Sequence, residues 1–254
     1  MRYRRSGATG RRIPAFGFVA ILAWAVPARA DEAGDKVLAA VDAASNRAST
    51  QLIEYEVTVQ EPGRAERKLV LQIWTKGDLR LTEFLAPADV KGLKALFLSP
   101  DRIYVYLPAF GKVRRIASPA KDQGFMGLTF SAADLAGFRY SPQYTARIAS
   151  ETATGWNLIA TPKPGETPDH ARIELIVAKD KALSTELKYF DDAGTHRKTE
   201  TRTANSCQGQ VCGPAEIKMT DHTKGGHWTK LVRKAWKVNE PISDDVFTAR
   251  ALGL

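Results

Sequence analysis

The sequence contains few residues of the types that build reactive or metal-binding sites. Its 254 residues include two cysteines, three methionines and four histidines. It contains no G-x-S-x-G nucleophile elbow, no H-E-x-x-H zinc motif and no G-x-x-x-x-G-K-[ST] phosphate loop. These absences argue against the hydrolase, metalloprotease and nucleotide-binding classes that the motifs define. We expect neither an enzyme nor a bound cofactor.

Only one pair of histidines is spaced so that both could bind one metal ion. His222 and His227 flank the turn at Lys224, with Asp221 beside them. Exposed histidines next to a turn are far commoner than a metal site, and this spacing matches no closed site. We therefore expect no metal.

The first thirty residues have the features of a signal peptide. An apolar run, Ile13–Val26, is shorter than the about 20 residues that span a membrane. It precedes the A-x-A pattern Ala28-Arg29-Ala30 and follows a basic segment that contains Arg2, Arg4, Arg5, Arg11 and Arg12. We predict a signal peptide over residues 1–30, cleaved before Asp31, and a periplasmic mature protein. An uncleaved signal anchor is the alternative.

Export to an oxidising compartment bears on the two cysteines. Cys207 and Cys212 have a C-x-x-x-x-C spacing, which is not the C-x-x-C spacing of redox motifs, and no further cysteine is present to build a thiolate metal site. We predict a structural disulfide between them.

Most of the net positive charge is confined to the leader. Six of the 37 Lys and Arg residues precede Asp31, which leaves 31 against 28 Asp and Glu residues in the mature chain. Nucleic-acid binding needs a clustered basic footprint. We therefore expect no nucleic-acid partner.

The mature chain, residues 31–254, is predicted to be one domain. Apolar residues recur at helical spacing over Asp35–Ala48, and period-two alternation follows in segments separated by turn signals. These segments are Leu52–Gln60, Lys68–Thr75, Leu79–Phe84, Leu93–Leu98, Arg102–Leu107, Lys112–Ile116, Tyr144–Ser150, Gly155–Thr161, Ala171–Ala178, Leu183–Phe190, Arg197–Thr203, Glu216–His222 and Trp228–Val238. Allowing for errors, we predict a mainly β (α+β) fold, with about eleven strands in a meandering antiparallel sheet. Such a sheet curls into an incomplete barrel, here with an N-terminal helix and a helical lid.

The stretch Leu96–Leu135 carries the most distinctive pattern. A predicted β-hairpin leads into Gly124–Phe130, which reads G-F-M-G-L-T-F and is too apolar for an ordinary solvated loop. An S-x-x-D capping box at Ser131–Asp134 should then begin a short helix. We predict a glycine-jointed apolar flap that covers an apolar cavity.

The candidate ligand-binding residues come from this stretch. Tyr104 and Tyr106 share one face of their strand, and either that face or the opposite one lines the cavity. The flap and lid contribute the other candidates, Phe125, Met126, Leu128, Phe130 and Leu135. Core packing is the competing interpretation for each. For a lipid hydrolase or isomerase, the acidic candidates would be Glu83 and Asp134, each more simply a surface or capping residue.

Two segments resemble the outer-membrane lipoprotein-sorting protein family, a branch of the periplasmic lipoprotein carriers similar to the LolA type. They are Y-x-Y-L-P-A-F-G-K-x-R-R-I at Tyr104–Ile116 and D-Q-G-F-M-G-L-T-F-S-A-A-D-L at Asp122–Leu135. The resemblance extends from Ala33 to the C-terminus, and the tail at Pro241–Leu252 also suits the family. It implies an incomplete antiparallel β-barrel of the LolA/LolB type, closed by helices, whose hydrophobic cavity carries acyl chains.

For function, the resemblance implies a non-enzymatic carrier that delivers lipoprotein acyl chains or another envelope lipid towards the outer membrane. Its partners would be that cargo, an inner-membrane transporter and an outer-membrane acceptor, and we expect a monomer. The missing lipobox cysteine fits a shuttling carrier rather than an anchored acceptor of the LolB kind. The chain differs from the well-studied carriers in length and central motif, so the cargo stays open. The alternative is a LolA-like sensor that binds lipid or lipoprotein and regulates an envelope partner.

Overall fold

A computed structural model describes residues 31–99, 102–116, 124–136 and 139–252, together with Met1. Apart from Met1, the signal peptide predicted over residues 1–30 lies outside the described residues. No helix within the described ranges is long and apolar enough to cross a membrane.

The described chain consists of one antiparallel sheet with two α-helices. Helix α1 spans Glu32–Ser45 and helix α2 spans Ala132–Ala136. The strands are β1 (Thr50–Gln60), β2 (Arg67–Lys76), β3 (Leu79–Ala86), β4 (Lys94–Ser99), β5 (Arg102–Leu107), β6 (Lys112–Arg115), β7 (Tyr144–Glu151), β8 (Gly155–Pro162), β9 (Arg172–Ala178), β10 (Leu183–Phe190), β11 (His196–Gln208), β12 (Val211–Asp221) and β13 (His227–Val238). Short 3-10 helices occupy Pro108–Phe110, Phe125–Gly127, His222–Lys224, Asp244–Phe247 and Ala249–Leu252.

The sequence pattern located every strand of this sheet. Each of the thirteen alternating segments forms a strand of the 13-stranded sheet. The prediction had allowed for errors among these segments and gave about eleven strands. The prediction of an open, mainly antiparallel sheet with an N-terminal helix is confirmed. The disulfide between Cys207 and Cys212 is also present, and it joins paired residues of β11 and β12.

Helix α1 begins and ends about three residues earlier than the apolar periodicity predicts. Asp31 adopts an extended backbone, and its carboxylate accepts a hydrogen bond from the Ala33 N–H at 3.0 Å. At the other end, the Asn46 N–H donates to the Asp42 carbonyl at 3.0 Å. The caps therefore set the helix limits, and Asn46 ends the helix before Ala48, the last residue of the apolar stripe.

The strand order makes β6 and β7 the two opposite edges of the sheet. The order is β6-β5-β4-β3-β2-β1-β13-β12-β11-β10-β9-β8-β7, so β6 and β7 are edges although they follow one another in the chain. The segment between them contains α2, and its described part, Gly124–Ala136, lies against one face of the sheet. We call that face the inner face and residues Gly124–Ala136 the flap.

The inner face carries the main core, which α1 and the flap complete. Leu38 and Val41 of α1, with Phe125, Leu128 and Phe130 of the flap, belong to the same buried cluster as the inner side chains of the strands. A second, smaller cluster lies on the outer face, where Phe247 and Leu252 of the C-terminal segment pack on Leu81 and Leu96. The C-terminal segment therefore covers part of the outer face.

Helix α1 approaches the edge strand β7 very closely. The Asp35 carboxylate accepts hydrogen bonds from the Ala146 N–H at 2.7 Å and from the Thr145 hydroxyl at 2.8 Å. A Cβ atom placed on Gly34 would lie 2.5 Å from the Ala146 carbonyl oxygen. Only glycine therefore permits this contact, because the obstacle is backbone rather than a flexible side chain.

We predict that Gly34→Ala destabilises the protein, although alanine is the better helix former by about 1 kcal/mol. Overpacking against a fixed backbone costs about 1–3 kcal/mol, and the Asp35 hydrogen bonds to β7 would weaken as α1 shifts. Urea unfolding of the variant and the wild-type protein measures the difference.

Ala40→Gly is the matched control, since Ala40 is exposed on the same helix. It should lower the stability by about 1 kcal/mol through helix propensity alone. A Gly34→Ala variant more stable than the wild-type protein would contradict the close contact between α1 and β7.

Candidate functional site

A cavity of about 320 Å³ lies on the inner face, between α1, α2 and the sheet. Its wall takes residues from α1, from the flap, from the loops flanking α2 and β9, and from nine strands. Apolar side chains line part of it, namely Ile53, Ile73, Phe130, Leu135, Ile173, Leu183, Ile217 and Leu231. Polar and charged side chains line the rest, so the cavity has a mixed wall.

A small number of hydrogen bonds hold the flap over the inner face. The Thr129 N–H donates to the Thr229 hydroxyl oxygen at 2.9 Å, and the Thr129 hydroxyl donates to the Met219 carbonyl at 3.0 Å. Within the flap, the Phe125 N–H donates to the Phe130 carbonyl at 2.8 Å. The flap is therefore a closed loop anchored at its centre to β12 and β13.

The capping box predicted at the start of α2 is present. The Ser131 N–H donates to the Asp134 carboxylate at 2.8 Å, and the Asp134 N–H donates to the Ser131 hydroxyl oxygen at 3.0 Å. This reciprocal pair satisfies two backbone donors at the helix start and fixes the direction in which the chain leaves the flap.

Asp134 also ties the flap to the far half of the sheet. Its carboxylate lies 2.9 Å from the Lys198 ammonium and 3.9 Å from the His170 ring, and all three side chains are largely buried. Burial alone would raise the pKa of Asp134, but the hydrogen bond from His170 and the charge of Lys198 outweigh it and hold the pKa below its usual range. Asp134 is therefore a charged structural anchor on the cavity wall.

A second polar cluster lies on β10 and β11. Arg202 donates to the Glu200 carboxylate and to the Ser184 hydroxyl, both at 2.6 Å, and the Tyr189 hydroxyl donates to Glu200 at 2.9 Å. Burial raises the pKa of Tyr189 well above its ordinary value, and the nearby Glu200 charge adds to this. Burial would lower the pKa of Arg202, but the Glu200 charge outweighs it and raises the pKa. The pair is thus held by hydrogen bonds to neighbouring side chains on β10.

The predicted flap residues occupy three different environments. Phe130 and Leu135 line the cavity. Phe125 and Leu128 are buried in the main core, with the Phe125 ring 6.3 Å from the Phe84 ring. Met126 is 36% exposed at the flap tip, in a left-handed conformation, and its carbonyl accepts a hydrogen bond from Arg67 at 2.8 Å. Their role in ligand binding stays a prediction.

Tyr104 and Tyr106 lie away from the cavity. Both pack in the outer cluster beneath the C-terminal segment, while Ile103 and Val105 of the same strand enter the inner core. Alternation along β5 assigned the four side chains to two faces correctly, but it did not determine which face is inner.

The remaining candidates from the sequence, the two histidines and Glu83, lie among residues that give them structural contacts. The His222 ring lies 4.4 Å from the ring of His196, with the Thr199 hydroxyl bonded to both, whereas His227 is buried on β13. Among the described residues, no three potential ligands are grouped to hold a metal ion. Glu83 is on the same face of β3 as the outer-cluster residue Leu81.

The charged residues of the cavity wall that sequence reasoning missed include Arg80, Glu200, Arg202 and Arg233 of the strands. Arg80 has the same strand parity as the core residue Phe84, and Arg233 has the same parity as Leu231. Strand parity could therefore have indicated these two arginines. No such signal marks β11, because its residues are polar on both faces.

Comparison with known proteins places the chain in a family and identifies structural neighbours. A family model described as "Uncharacterized protein" matches residues 76–253, which is more than half of the chain. A search of curated proteins returned no match.

Three solved structures share the fold. A DUF1329 family protein from Desulfovibrio piger has a TM-score of 0.80 at 22% identity, over 87% of this chain and 98% of that chain. An outer membrane lipoprotein-sorting protein domain from Vibrio parahaemolyticus has a TM-score of 0.75 at 21% identity, with the same coverage of 87% and 98%. A LolA superfamily protein from Nitrosomonas europaea has a TM-score of 0.71 at 16% identity, over 86% and 98% of the two chains. The LolA-like open barrel expected from the sequence is confirmed.

We predict that Asp134→Asn lowers the free energy of unfolding by about 3–5 kcal/mol at pH 7, because it leaves the buried Lys198 ammonium without its carboxylate. The folded-state pKa of Asp134 is lowered, so its contribution is present above the ordinary pKa of 3.8 and is lost as the pH falls through the folded value. The difference between variant and wild type should therefore narrow below about pH 4 in urea unfolding.

Glu32→Gln provides the control, since it removes an ion pair to Lys36 at an exposed site of α1. It should change the stability little at any pH. Equal stability losses for the two variants, or a loss for Asp134→Asn that does not depend on pH, would contradict the anchoring role of Asp134.

Proposed function

The chain belongs to the family whose model matches residues 76–253, and on that premise we propose that it is a carrier of envelope lipids. In this proposal it shields lipoprotein acyl chains, or the chains of another lipid, in the inner-face cavity. The observation that supports it most strongly is the cavity of about 320 Å³ under a flap that a few hydrogen bonds hold in place.

The hydrophobic effect supplies the driving force for such binding. Each buried methylene contributes about 0.8 kcal/mol, so about twelve methylenes would contribute about 10 kcal/mol before the entropic costs of association. The cavity volume is at the lower end of the range of about 300–1,000 Å³ that is usual for small-molecule sites. In our proposal a whole lipid therefore enters only when the flap moves outward.

The flap suits this role because it is held mainly by apolar packing on the core and only by a few polar contacts. Three of its buried side chains, Phe125, Leu128 and Phe130, can exchange contacts with the core for contacts with a bound chain. If only Phe125–Phe130 moves and Asp134 and Leu135 stay in place, the polar contacts that break are the two Thr129 hydrogen bonds and the Arg67 bond to the Met126 carbonyl, at about 1–3 kcal/mol each. The free-energy cost of opening is therefore small when apolar contacts with the cargo replace those that the flap loses.

The names of the structural neighbours support the place of action that we propose. One neighbour is an outer membrane lipoprotein-sorting domain and another is a LolA superfamily protein. We propose that residues 1–30 direct export, that residues 31–254 act in the periplasm, and that the cargo passes from an inner-membrane transporter to an outer-membrane acceptor. In this proposal the protein works by binding and release, without chemical conversion of the cargo.

Native mass spectrometry of the mature chain, purified from an envelope extract, tests the carrier function directly. We expect an adduct of one lipid or lipopeptide per chain, which lipid analysis of the dissociated species would identify. A clean apo mass, together with no uptake of offered phospholipid or lipopeptide, would overturn the proposal. That outcome would favour a sensor that binds an envelope partner.

We predict that Thr229→Val speeds the release of a bound fluorescent fatty acid by about tenfold, because the buried Thr129 N–H loses its acceptor and the flap is held less firmly. Stopped-flow displacement of the probe measures the rate. Shortening the flap would be a poorer test, since Phe125, Leu128 and Phe130 are part of the core.

Thr185→Val is the matched control, because the Thr185 hydroxyl donates to the Ile176 carbonyl at 3.3 Å at an exposed site on β10. Its release rate should equal that of the wild-type protein. If Thr229→Val were also unchanged, the flap would not control release.

A further inference from the structure

The cavity wall carries an excess of positive charge on the side of β1, β3 and β13. Three arginines, Arg80, Arg202 and Arg233, and the single carboxylate of Glu200 act on the buried hydroxyl of Tyr55. All five residues line the cavity. Three cations against one anion leave two positive charges to be balanced at this place.

Arg202 is not the source of the imbalance. It forms an ion pair with Glu200, and it also donates to the Ser184 hydroxyl, while Glu200 accepts from the Tyr189 hydroxyl. The two charges that need a counterion are therefore those of Arg80 and Arg233.

Arg80 lies on the inner face of β3 and contacts the flap. One guanidinium nitrogen donates to the backbone carbonyl of Leu135 at 2.5 Å, and no ion pair joins Arg80 to a carboxylate within the described residues. Burial lowers the pKa of Arg80 to about 10, with only a partial opposing effect from Tyr55. The side chain therefore bears the cost of a desolvated charge that a single neutral carbonyl offsets in part.

Arg233 also lines the cavity and acts on the Tyr55 hydroxyl. It pairs with Tyr55 across β1 and β13, next to a β-bulge at Glu54/Tyr55 that brings both Arg233 and Trp236 to the inner face. Its guanidinium lies 3.9 Å from the centre of the Trp236 ring, and its other contacts are the Ser206 hydroxyl and the Gly213 carbonyl. All of these partners are neutral.

The acidic residues of the cavity do not neutralise this side. Asp42 accepts hydrogen bonds from the N–H groups of Tyr140 and Ser141, and Asp134 pairs with Lys198. Asp169 acts on Tyr144, at the side of the cavity that His170 and Asp134 form. The cavity thus has a cationic side at Tyr55 and an acidic side at Tyr144.

We propose that the cationic side of the cavity binds a phosphate or carboxylate group of the cargo through Arg80 and Arg233, which line the cavity together with Tyr55. Guanidinium groups match both anions by paired N–H···O bonds. The inference rests on the proposed function, because the anion would be the headgroup of a lipid whose chain occupies the apolar part of the wall. A free anion is the other source of the same chemistry.

Three probes separate these sources, namely hexadecyl phosphate, hexadecanol and inorganic phosphate. Their affinities can be measured by isothermal titration calorimetry on the mature chain, with tryptophan fluorescence, to which Trp236 beside Arg233 contributes, as a second signal. We expect hexadecyl phosphate to bind about tenfold or more tightly than hexadecanol, and inorganic phosphate to bind weakly.

The variants Arg80→Gln and Arg233→Gln test the assignment separately. Each should weaken hexadecyl phosphate binding by about ten- to hundredfold more than it weakens hexadecanol binding in the same variant. The hexadecanol affinity of Arg80→Gln includes the loss of its bond to the Leu135 carbonyl, so the ratio of the two affinities is the quantity compared. An unchanged urea unfolding midpoint shows that a variant is folded. Arg147→Gln, at an exposed arginine of β7, should behave as the wild-type protein.

The possible outcomes distinguish this inference from the carrier function. Equal binding of hexadecyl phosphate and hexadecanol would overturn the anion site and leave the carrier intact. Binding of inorganic phosphate as tight as that of hexadecyl phosphate, with the same dependence on Arg80 and Arg233, would support the anion site with a free anion as ligand and count against a lipid carrier. Binding of none of the probes would overturn both proposals.

Discussion

An open antiparallel sheet with an apolar inner face must have that face covered, and most of the structure follows from this requirement. The strands run outward from β1 to the edge strand β6, and the chain then re-enters at the opposite edge strand β7. The connection between the edges has to cross one face of the sheet. Because it crosses the inner face with apolar side chains, the same segment completes the core and closes the cavity. Helix α1 covers what the flap leaves open.

Two kinds of contact hold the flap, apolar packing that stabilises it and polar contacts that fix its position. Phe125, Leu128 and Phe130 provide apolar burial, which is strong but does not specify a single position. Position is set by directional contacts, from Thr129 to the two central strands, from Asp134 to Lys198 on β11 and from Arg80 on β3 to the Leu135 carbonyl. These contacts reach strands on both sides of the β1–β13 pair, so the flap is tied to both halves of the sheet. Buried polar contacts of this type favour one arrangement over near alternatives.

Local sequence signals predicted the elements of this fold but not their assembly. Alternation located the strands, the S-x-x-D motif located the start of α2, and the spacing of Cys207 and Cys212 gave the disulfide. Each of these depends on neighbours in the chain. The inner face of β5 could not be assigned, since alternation treats the face of Tyr104 and the face of Val105 alike, and only the covering elements distinguish them.

The candidate site was predicted in part for the same reason. Phe130 and Leu135 on the cavity wall belong to a segment whose run of apolar residues is visible in the sequence itself. The charged side of the wall is different, because Arg80 and Arg233 are far apart in the sequence. They line the same cavity only through the pairing of distant strands. A β-bulge also shifts the alternation near Arg233, so that Trp236 joins it on one face. Long-range register and bulges are tertiary properties that a single sequence does not display.

The contact between α1 and β7 has a consequence for how copies of this protein meet. An open sheet has two edges whose free backbone groups could add the strands of another molecule, which is a route to aggregation. At β7, the Asp35 carboxylate occupies the Ala146 N–H and the helix backbone at Gly34 lies against the Ala146 carbonyl. At the other edge, β6 is only four residues long and exposes Lys112 and Arg114, which repel a second copy of the same edge. The sheet can thus remain open and still resist polymerisation through its edges.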